Sequence, residues 1–330
     1  MEETPALHEI TKTRERTFRA RFASIVQKQG ALVLLGLVCI IATARYEAFL
    51  TPENLLNVLR QNSMLGIVAL GMTFVILTGG IDLSVGALLA VAGVIAASLA
   101  DRGLIVALSA ATLVTVILGL INGVIIAKAR IQPFIVTLGM MIAARGLALV
   151  VTGEESVKIQ GLTDDFTWLG RGWIGFLPVP VVVLLIVYFI GWLILNYTRF
   201  GRHVFSVGDN DEAARLMGLN TDRVIILVYG ISGLLAGLAG VILASRLGAG
   251  QPVAGVGWEL DAIAAVVVGG TLLTGGKGSV ISTFFGFLLL GVIFNIFNLE
   301  GQISPWWQLV FRGAILLAVV ILQNRLTRIK

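Results

Sequence analysis

Gly103-Leu104-Ile105-Val106-Ala107-Leu108-Ser109-Ala110-Ala111-Thr112-Leu113-Val114-Thr115-Val116-Ile117-Leu118-Gly119-Leu120-Ile121-Asn122-Gly123-Val124-Ile125-Ile126-Ala127 runs for 25 residues without a charged side chain. At about 1.5 Å per residue a helix of that length outspans a hydrocarbon core of roughly 30 Å. Similar runs recur on both sides of it. Apolar stretches at about 31–49, 63–78, 84–100, 103–127, 133–152, 178–197, 224–245, 259–272, 279–298 and 306–322 give ten candidate spans, of which the second and eighth are short. Composition agrees: 57% of the 330 residues are hydrophobic and 13% charged, whereas a soluble domain carries about 25% charged residues. A water-soluble fold cannot hide so much apolar surface. The sequence therefore predicts an all-α polytopic membrane protein of about ten transmembrane helices.

The basic residues set the orientation, because positive loops stay in the cytoplasm. With the N-terminus inside, fifteen of the 24 Lys and Arg fall on the inner face, among them Lys128, Arg130, Arg199, Arg202, Arg215 and Arg223, and six fall outside. Both termini then come out cytoplasmic. The expected organisation is a basic N-terminal segment (1–30), a single transmembrane domain (31–322) and a short cytoplasmic tail (323–330). Trp168, Trp173, Trp258, Trp306 and Trp307 fall at outer span ends and Trp192 near an inner one, as interfacial belts require. Ala42-Thr43-Ala44 could pass for a signal-peptidase site, but the polar segment ahead of the run is long, and the first span reads as uncleaved. The net charge of +5 is accounted for by basic loops facing anionic lipid, which leaves no reason to expect nucleic acid as a partner. Cys39 is the single cysteine, and His8 and His203 lie in or beside basic segments. No disulfide framework, metal site or cofactor is expected from them.

Two loops break the pattern. The outer loop at about 153–177 carries Glu154, Glu155, Asp164 and Asp165 and is too short for a domain. In the inner loop, Gly208-Asp209-Asn210-Asp211-Glu212-Ala213-Ala214-Arg215-Leu216-Met217-Gly218 starts like a capping box at Asp209 and Glu212 and ends on a C-capping glycine. It predicts a short helix outside the membrane, read either as a solvated interfacial helix or as a knob for a partner's groove.

Here a resemblance enters. Glu212-Ala213-Ala214 with Gly218 looks like the loop by which membrane subunits of bacterial ATP-binding-cassette importers engage their ATPases. Gly71-Met72-Thr73-Phe74-Val75-Ile76-Leu77-Thr78-Gly79-Gly80-Ile81-Asp82-Leu83-Ser84-Val85-Gly86 resembles the signature segment of the ribose, xylose, arabinose and galactose permeases. So does Gln251-Pro252, continuing through Gly257-Trp258-Glu259-Leu260-Asp261-Ala262-Ile263-Ala264-Ala265 to Gly269-Gly270 and Gly275-Gly276-Lys277-Gly278, and the similarity runs from about Phe49 to the C-terminus. The resemblance, closest to ribose permeases, implies a non-enzymatic permease subunit of a bacterial inner-membrane importer. It implies separate ATPase subunits gripping a coupling helix at about 208–223, with Asp209, Asn210, Asp211, Glu212, Ala213, Ala214 and Gly218 at the contact. It also implies an extracytoplasmic sugar-binding protein and a second permease copy, identical or homologous.

Further features bear on the pathway or on helix packing. Asp82, flanked by Gly79, Gly80 and Gly86 and followed by Ser84, caps the third span at the cytoplasmic interface or contacts solute, and the glycines around it allow a hinge. Leu77-Thr78-Gly79-Gly80 recurs as Leu273-Thr274-Gly275-Gly276, suggesting duplicated gate elements. Lys277 tempts one toward a phosphate loop, but Gly-x-x-x-x-Gly-Lys-Ser/Thr is not met, since Gly276 follows Gly275 and Gly278 follows Lys277. Gly119-x-x-x-Gly123 and Gly233-x-x-x-Gly237 read as helix-packing faces. Asn122, Asn295 and Asn298 can bond a sugar hydroxyl or a neighbouring helix, and Arg145 and Arg312 should find a carboxylate, a carbonyl or an interface. The alternative function is an ion-coupled secondary transporter, which needs paired ionisable residues along the pathway; Asp82 alone is a thin basis for it.

Overall fold

A computed structural model describes residues 30–159, 164–301 and 304–328; the basic segment ahead of Gly30, with His8, lies outside the described residues, as do the last two residues of the tail. Helices stand at all ten expected positions: α1 (Gly30–Arg45), α2 (Pro52–Leu77), α3 (Val85–Ser98), α4 (Leu104–Ala129), α5 (Pro133–Thr152), α7 (Val179–Tyr197), α10 (Thr221–Leu247), α11 (Trp258–Val268), α12 (Val280–Glu300) and α13 (Pro305–Arg328). Between them lie α6 (Asp164–Arg171), α8 (Arg199–Asp209), α9 (Asp211–Leu216) and the two-residue strands β1 (Val157–Lys158), β2 (Trp173–Ile174), β3 (Leu177–Pro178) and β4 (Ala249–Gly250). Among the described residues, six helices, α2, α4, α5, α7, α10 and α12, are long and apolar enough to cross a membrane by length and composition.

The second span is not short. Pro52 at the first turn and a Thr51 cap that accepts the Asn54 N–H start α2 eleven residues before the apolar run begins, and of its 26 residues the stretch 63–77 forms the buried axis of the bundle. The polar first turns, with Glu53, Asn54, Asn57 and Arg60, had hidden this from an apolar-run reading. Beside α2 lies α10, which packs along α2, α3 and α4. Its contact with α4 brings backbone against backbone at Gly119 and Gly233, so that a β-carbon on Gly119 would fall 2.3 Å from the Tyr229 carbonyl and one on Gly233 2.2 Å from the Thr115 carbonyl; Gly123 likewise meets the Ile226 backbone and Gly237 the Thr115 hydroxyl. With no hydrophobic drive between helices in lipid, such close backbone approach maximises van der Waals contact. Most residues of α4 and α5 are exposed or half-buried.

The helices fix two ends. Lys128, Arg130, Arg199, Arg202 and Arg215 mark the basic end. At the far end the outer loop folds onto the bundle: β1 pairs antiparallel with β4, and α6 packs on α10. There the Tyr46 hydroxyl donates to Glu300, tying the α1–α2 corner to the end of α12.

The largest departure from expectation lies between α10 and α11. Residues 251–257 are not an outer loop. Gly250 abuts Gly93 and Val94 on α3, whereas Gly255 abuts Gly86, seven residues closer to the basic end, so the chain descends about 10 Å alongside α3 in a run of turns. α11 begins only there, and its 11 residues cover the rest of the depth. Trp258, expected at an interface, consequently opens a helix deep in the bundle.

Candidate functional site

Three junctions gather the residues singled out in the sequence. The first joins the basic-end loop to both Thr-Gly-Gly turns. α8 is an amphipathic helix that runs straight into the loop expected to dock a partner, and its Gly208 sits between the two turns. A β-carbon on Gly208 would lie 1.8 Å from the Leu77 carbonyl oxygen and 2.5 Å from the Gly276 nitrogen; one on Gly276 would lie 2.9 Å from Asp209 Cα. The two copies of the repeat touch directly, since the Gly276 N–H donates to the Leu77 carbonyl at 3.0 Å. They are nonetheless not equivalent. Gly79 (φ +78°) closes α2 directly, with the Gly80 N–H bonded back to Val75 O, whereas α11 is closed the same way by Gly270 (φ +95°), with the Thr271 N–H on Val266 O. Gly275 and Gly276 lie in the following loop, so the echo marks two contacting segments and not two copies of one gate.

The second junction is polar and buried. Asp82 is 0% exposed and sits among α3, α4 and α10. Its Oδ1 accepts the Ser84 N–H at 2.9 Å and the Ser84 hydroxyl at 2.5 Å, and its Oδ2 accepts the Ser232 hydroxyl at 2.8 Å. Ser84 Oγ in turn accepts from Asn122 Nδ2 at 3.1 Å. The Tyr229 and Thr137 hydroxyls both donate to the Ile81 carbonyl at 3.3 Å, and Gly80 leaves the room the Tyr229 ring tip needs. Ser232 lies eleven residues into α10, about 16 Å from its start. Asp82 is thus well inside the bundle, not at the interface. It accepts the N–H just ahead of the first turn of α3 while pinning the α2–α3 break to the neighbouring helices.

The third junction holds the descending segment. Gly86 admits the Gly255 carbonyl where a β-carbon would stand 2.3 Å from it, with Glu259 Oε2 alongside. Arg145 of α5 donates from Nη1 to Pro252 O and to Ala254 O, both at 2.6 Å. The turns here bond Gln251 O and Gly255 O from within, to the Ala254 and Trp258 N–H groups, and the arginine side chain takes up Pro252 O and Ala254 O. Arg145 thereby finds carbonyls, one of the partners expected of it. Replacing it with Leu should destabilise residues 251–257 by about 1–3 kcal/mol, the usual loss when a part-buried acceptor loses its donor. Faster amide exchange there, confined to that segment, is the expected signal; unchanged exchange would show that something else holds it.

Outside the spans, α9 differs in detail from expectation. Its N-cap is Asn210, whose side chain accepts the Ala213 N–H at 2.9 Å, while Asp209 still belongs to α8. At the other end Gly218 (φ +84°) lets the Leu219 N–H reach Ala214 O, the C-terminal closure foreseen. Ala214 is fully buried, and Arg215 bonds Asp211 at 3.1 Å and Asp222 at 2.8 Å, with Lys128 also on Asp222 at 2.9 Å. The helix is thus clamped to the start of α10 and the end of α4. What it presents outward is apolar: Leu216 is 85% and Met217 73% exposed, beside exposed Glu212.

Asn295 stands apart from all three junctions. It exchanges amide hydrogen bonds with Asn54, fastening α12 to α2, and Asn298 accepts from Gln308. Both hold helices together.

Residues 54–320 match the family described as branched-chain amino acid transport system / permease component. The chain is 43% identical over 308 residues to the ribose import permease protein of Escherichia coli K12, covering 92% of this chain and 95% of that one. It is 42% identical over 309 residues to the ribose import permease protein of Bacillus subtilis 168 (93% and 96%) and 37% over 311 to the D-allose transport system permease protein of Escherichia coli K12 (93% and 94%). No solved structure matches it. A match along nearly the whole bundle, from the start of α2 into α13 and through all three junctions, makes this chain a member of that family of transport-system permeases.

Proposed function

We propose that the chain is the membrane-spanning subunit of an ATP-driven importer, passing a monosaccharide, ribose foremost, from an extracytoplasmic binding protein to the cytoplasm. Relatives named for ribose, D-allose and L-arabinose give the solute class. The observation that carries the mechanism is the Gly208 junction. α9 stands outside the spans with an apolar tip for an ATPase groove, and α8 delivers any displacement of it, backbone against backbone, to the ends of α2 and of the loop before α12. A contact without side chains transmits motion without the slack of rotamers.

On this reading ten helices span the membrane, both termini are cytoplasmic, and two copies, or one copy and a homologue, enclose the passage. The subunit performs no chemistry. ATP is hydrolysed by separate ATPase chains, and the sugar affinity resides in the binding protein. Asp82 gives ion coupling little support, since its oxygens are taken up by Ser84 and Ser232.

The test is ATP hydrolysis by the complex reconstituted in lipid, with and without sugar-loaded binding protein. Glu212→Ala and Gly218→Trp should uncouple stimulation without unfolding the spans; tryptophan cannot comfortably adopt the positive φ of Gly218. Leu216→Asp should weaken ATPase binding about tenfold or more, since burying a leucine contributes about 1.5–3 kcal/mol. Uptake that proceeds without an ATPase and follows a proton or sodium gradient would sink the proposal.

A further inference from the structure

We propose that the groove between α1, α8 and α12 holds an anionic phospholipid of the leaflet at the basic end, with its phosphate at Lys277 and an acyl chain against Ile281 and Phe285, and that this lipid braces the glycine junction. The binding is independent of the importer reading; its effect on import rests on that reading.

The groove encloses about 630 Å³, within the roughly 300–1,000 Å³ of ordinary ligand sites. Leu32 of α1, Phe205 of α8, Ile281 and Phe285 of α12, and Gly276 and Lys277 of the loop between α11 and α12 line it. Its walls are mainly apolar and open to the outside of the bundle, since Leu32 is 44% and Ile281 52% exposed. An apolar groove on the flank of a membrane helix bundle is filled by apolar material, and a lipid chain is what the bilayer supplies. The apolar walls leave the lysine at the mouth unexplained. Lys277 is exposed and, among the described residues, forms no ion pair, although Asp209 stands beside Gly276. Next to it α12 starts at Ser279, whose side chain makes no capping bond, so the first N–H groups of that helix are left to an acceptor from outside.

An ammonium and free backbone donors at the head of an apolar groove match a phosphate on a lipid tail: the anion meets the donors and the chain meets the walls. A free phosphate would use the lysine and leave the walls unfilled. Arg202, one turn before Phe205 on the amphipathic α8, is exposed as well, and the sequence ahead of Gly30 adds Arg19, Arg21 and Lys28, so the surroundings favour an acidic headgroup over a zwitterionic one. The consequence for the junction follows from what the walls belong to. Phe205 stands three residues before Gly208, Gly276 donates its N–H to the Leu77 carbonyl, and Ile281 is the second residue of α12. A lipid wedged among them holds α8 and the loop before α12 in place where both meet the end of α2.

Two measurements test this. By native mass spectrometry the full chain, offered phosphatidylglycerol and phosphatidylcholine of equal chain length, should retain phosphatidylglycerol about fivefold more strongly, the factor one basic group supplies beside an anionic lipid. Lys277→Gln should erase that preference, whereas Arg223→Gln, which removes an exposed charge outside the groove at the same end, should keep it. Ile281→Trp, which fills the groove and leaves the lysine, should lower retention of both lipids. In vesicles carrying the assembled transporter, replacing phosphatidylglycerol by phosphatidylcholine should lower hydrolysis stimulated by the loaded binding protein about fivefold, the low end of ordinary coupling between two sites, and Lys277→Gln should make it indifferent to the exchange. Equal retention of the two lipids, or a loss in Arg223→Gln as large as in Lys277→Gln, would show that the charge of the whole face attracts the headgroup and not this groove. Displacement of the lipid by millimolar inorganic phosphate would assign the site to the free anion, and retention that appears only after residues 1–29 are removed would assign the groove to the chain's own leading segment. Each of these overturns the proposal, as does wild-type hydrolysis that is stimulated equally in both lipids. Lipid retained as expected, with no stimulated hydrolysis in any vesicle, would instead refute the importer reading.

Discussion

Gly208→Ala is expected to reduce ATP-driven import by more than about tenfold while leaving the ATPase subunits bound, a larger loss than any other single methyl group should produce in this chain. The added carbon would stand 1.8 Å from one carbonyl oxygen and 2.5 Å from a backbone nitrogen. Where overpacked side chains can rotate away, the penalty is about 1–3 kcal/mol. Here both obstacles are backbone, and they are the two ends of one hydrogen bond, Gly276 N–H to Leu77 O. One of three segments must withdraw: the end of α2, the end of α8 or the loop before α12. Withdrawal of α8 leaves α9 clamped through Arg215, Asp211 and Asp222, so docking survives while its displacement no longer reaches the spans. The measurement pairs sugar uptake with ATPase co-purification from the same membranes. Import at the wild-type rate would show that the junction is packing and that force travels by another route. Release of the ATPase together with lost import would show instead that the glycine supports the docking loop itself.

How much of this could be read from the sequence follows from what each feature depends on. Helix positions were legible because apolar length is a local property, and the boundary at α2 was misread only where polar residues continue a helix beyond its apolar run. The two glycine pairs were legible as packing faces, since spacing of one turn has a single common use in lipid. The descending segment was not. Gln251–Gly257 carries prolyl and glycyl chain breakers, which fit an outer loop equally well, and its depth is set by Gly86 and Arg145, more than a hundred residues away. Arg145 was visible as an oddity, though its task was not. Asp82 was read as a residue between cap and pathway because the sequence shows its neighbours Gly80 and Ser84 but not Ser232 and Asn122. Gly208 reads in the sequence merely as the start of a loop helix, and nothing local distinguishes a glycine that ends a turn from one on which two others rest.

Asp82→Leu should destabilise the fold by about 3 kcal/mol, whereas Asp82→Asn should cost about 1 kcal/mol or less and leave import coupled to ATP. Leucine approximates the volume but strands three donors. The Ser84 N–H and hydroxyl then lack an acceptor in a fully buried site, at about 1–3 kcal/mol for each unsatisfied group, while the Ser232 hydroxyl can turn back to its own helix. Asparagine keeps one oxygen for Ser84 and offers an amide to Ser232, whose hydroxyl also accepts, so the shape and most of the bonds survive. Asn122 should share in the loss: its Nδ2 reaches the site only through Ser84 Oγ, and its buried Oδ1 has no hydrogen-bond partner among the described residues. A double-mutant cycle between Asp82→Leu and Asn122→Leu should therefore show coupling of about 0.5–3 kcal/mol. Thermal unfolding of the purified subunit and sugar uptake from the same preparations separate the possibilities. If Asp82→Asn retains stability but loses uptake, the negative charge itself is needed for transport, and the carboxylate belongs to an ion-coupled pathway. If both variants track stability alone, Asp82 is the pin that lets a helix break sit inside a membrane, holding the α2–α3 turn rigid so that the glycine junction below it has something to push against.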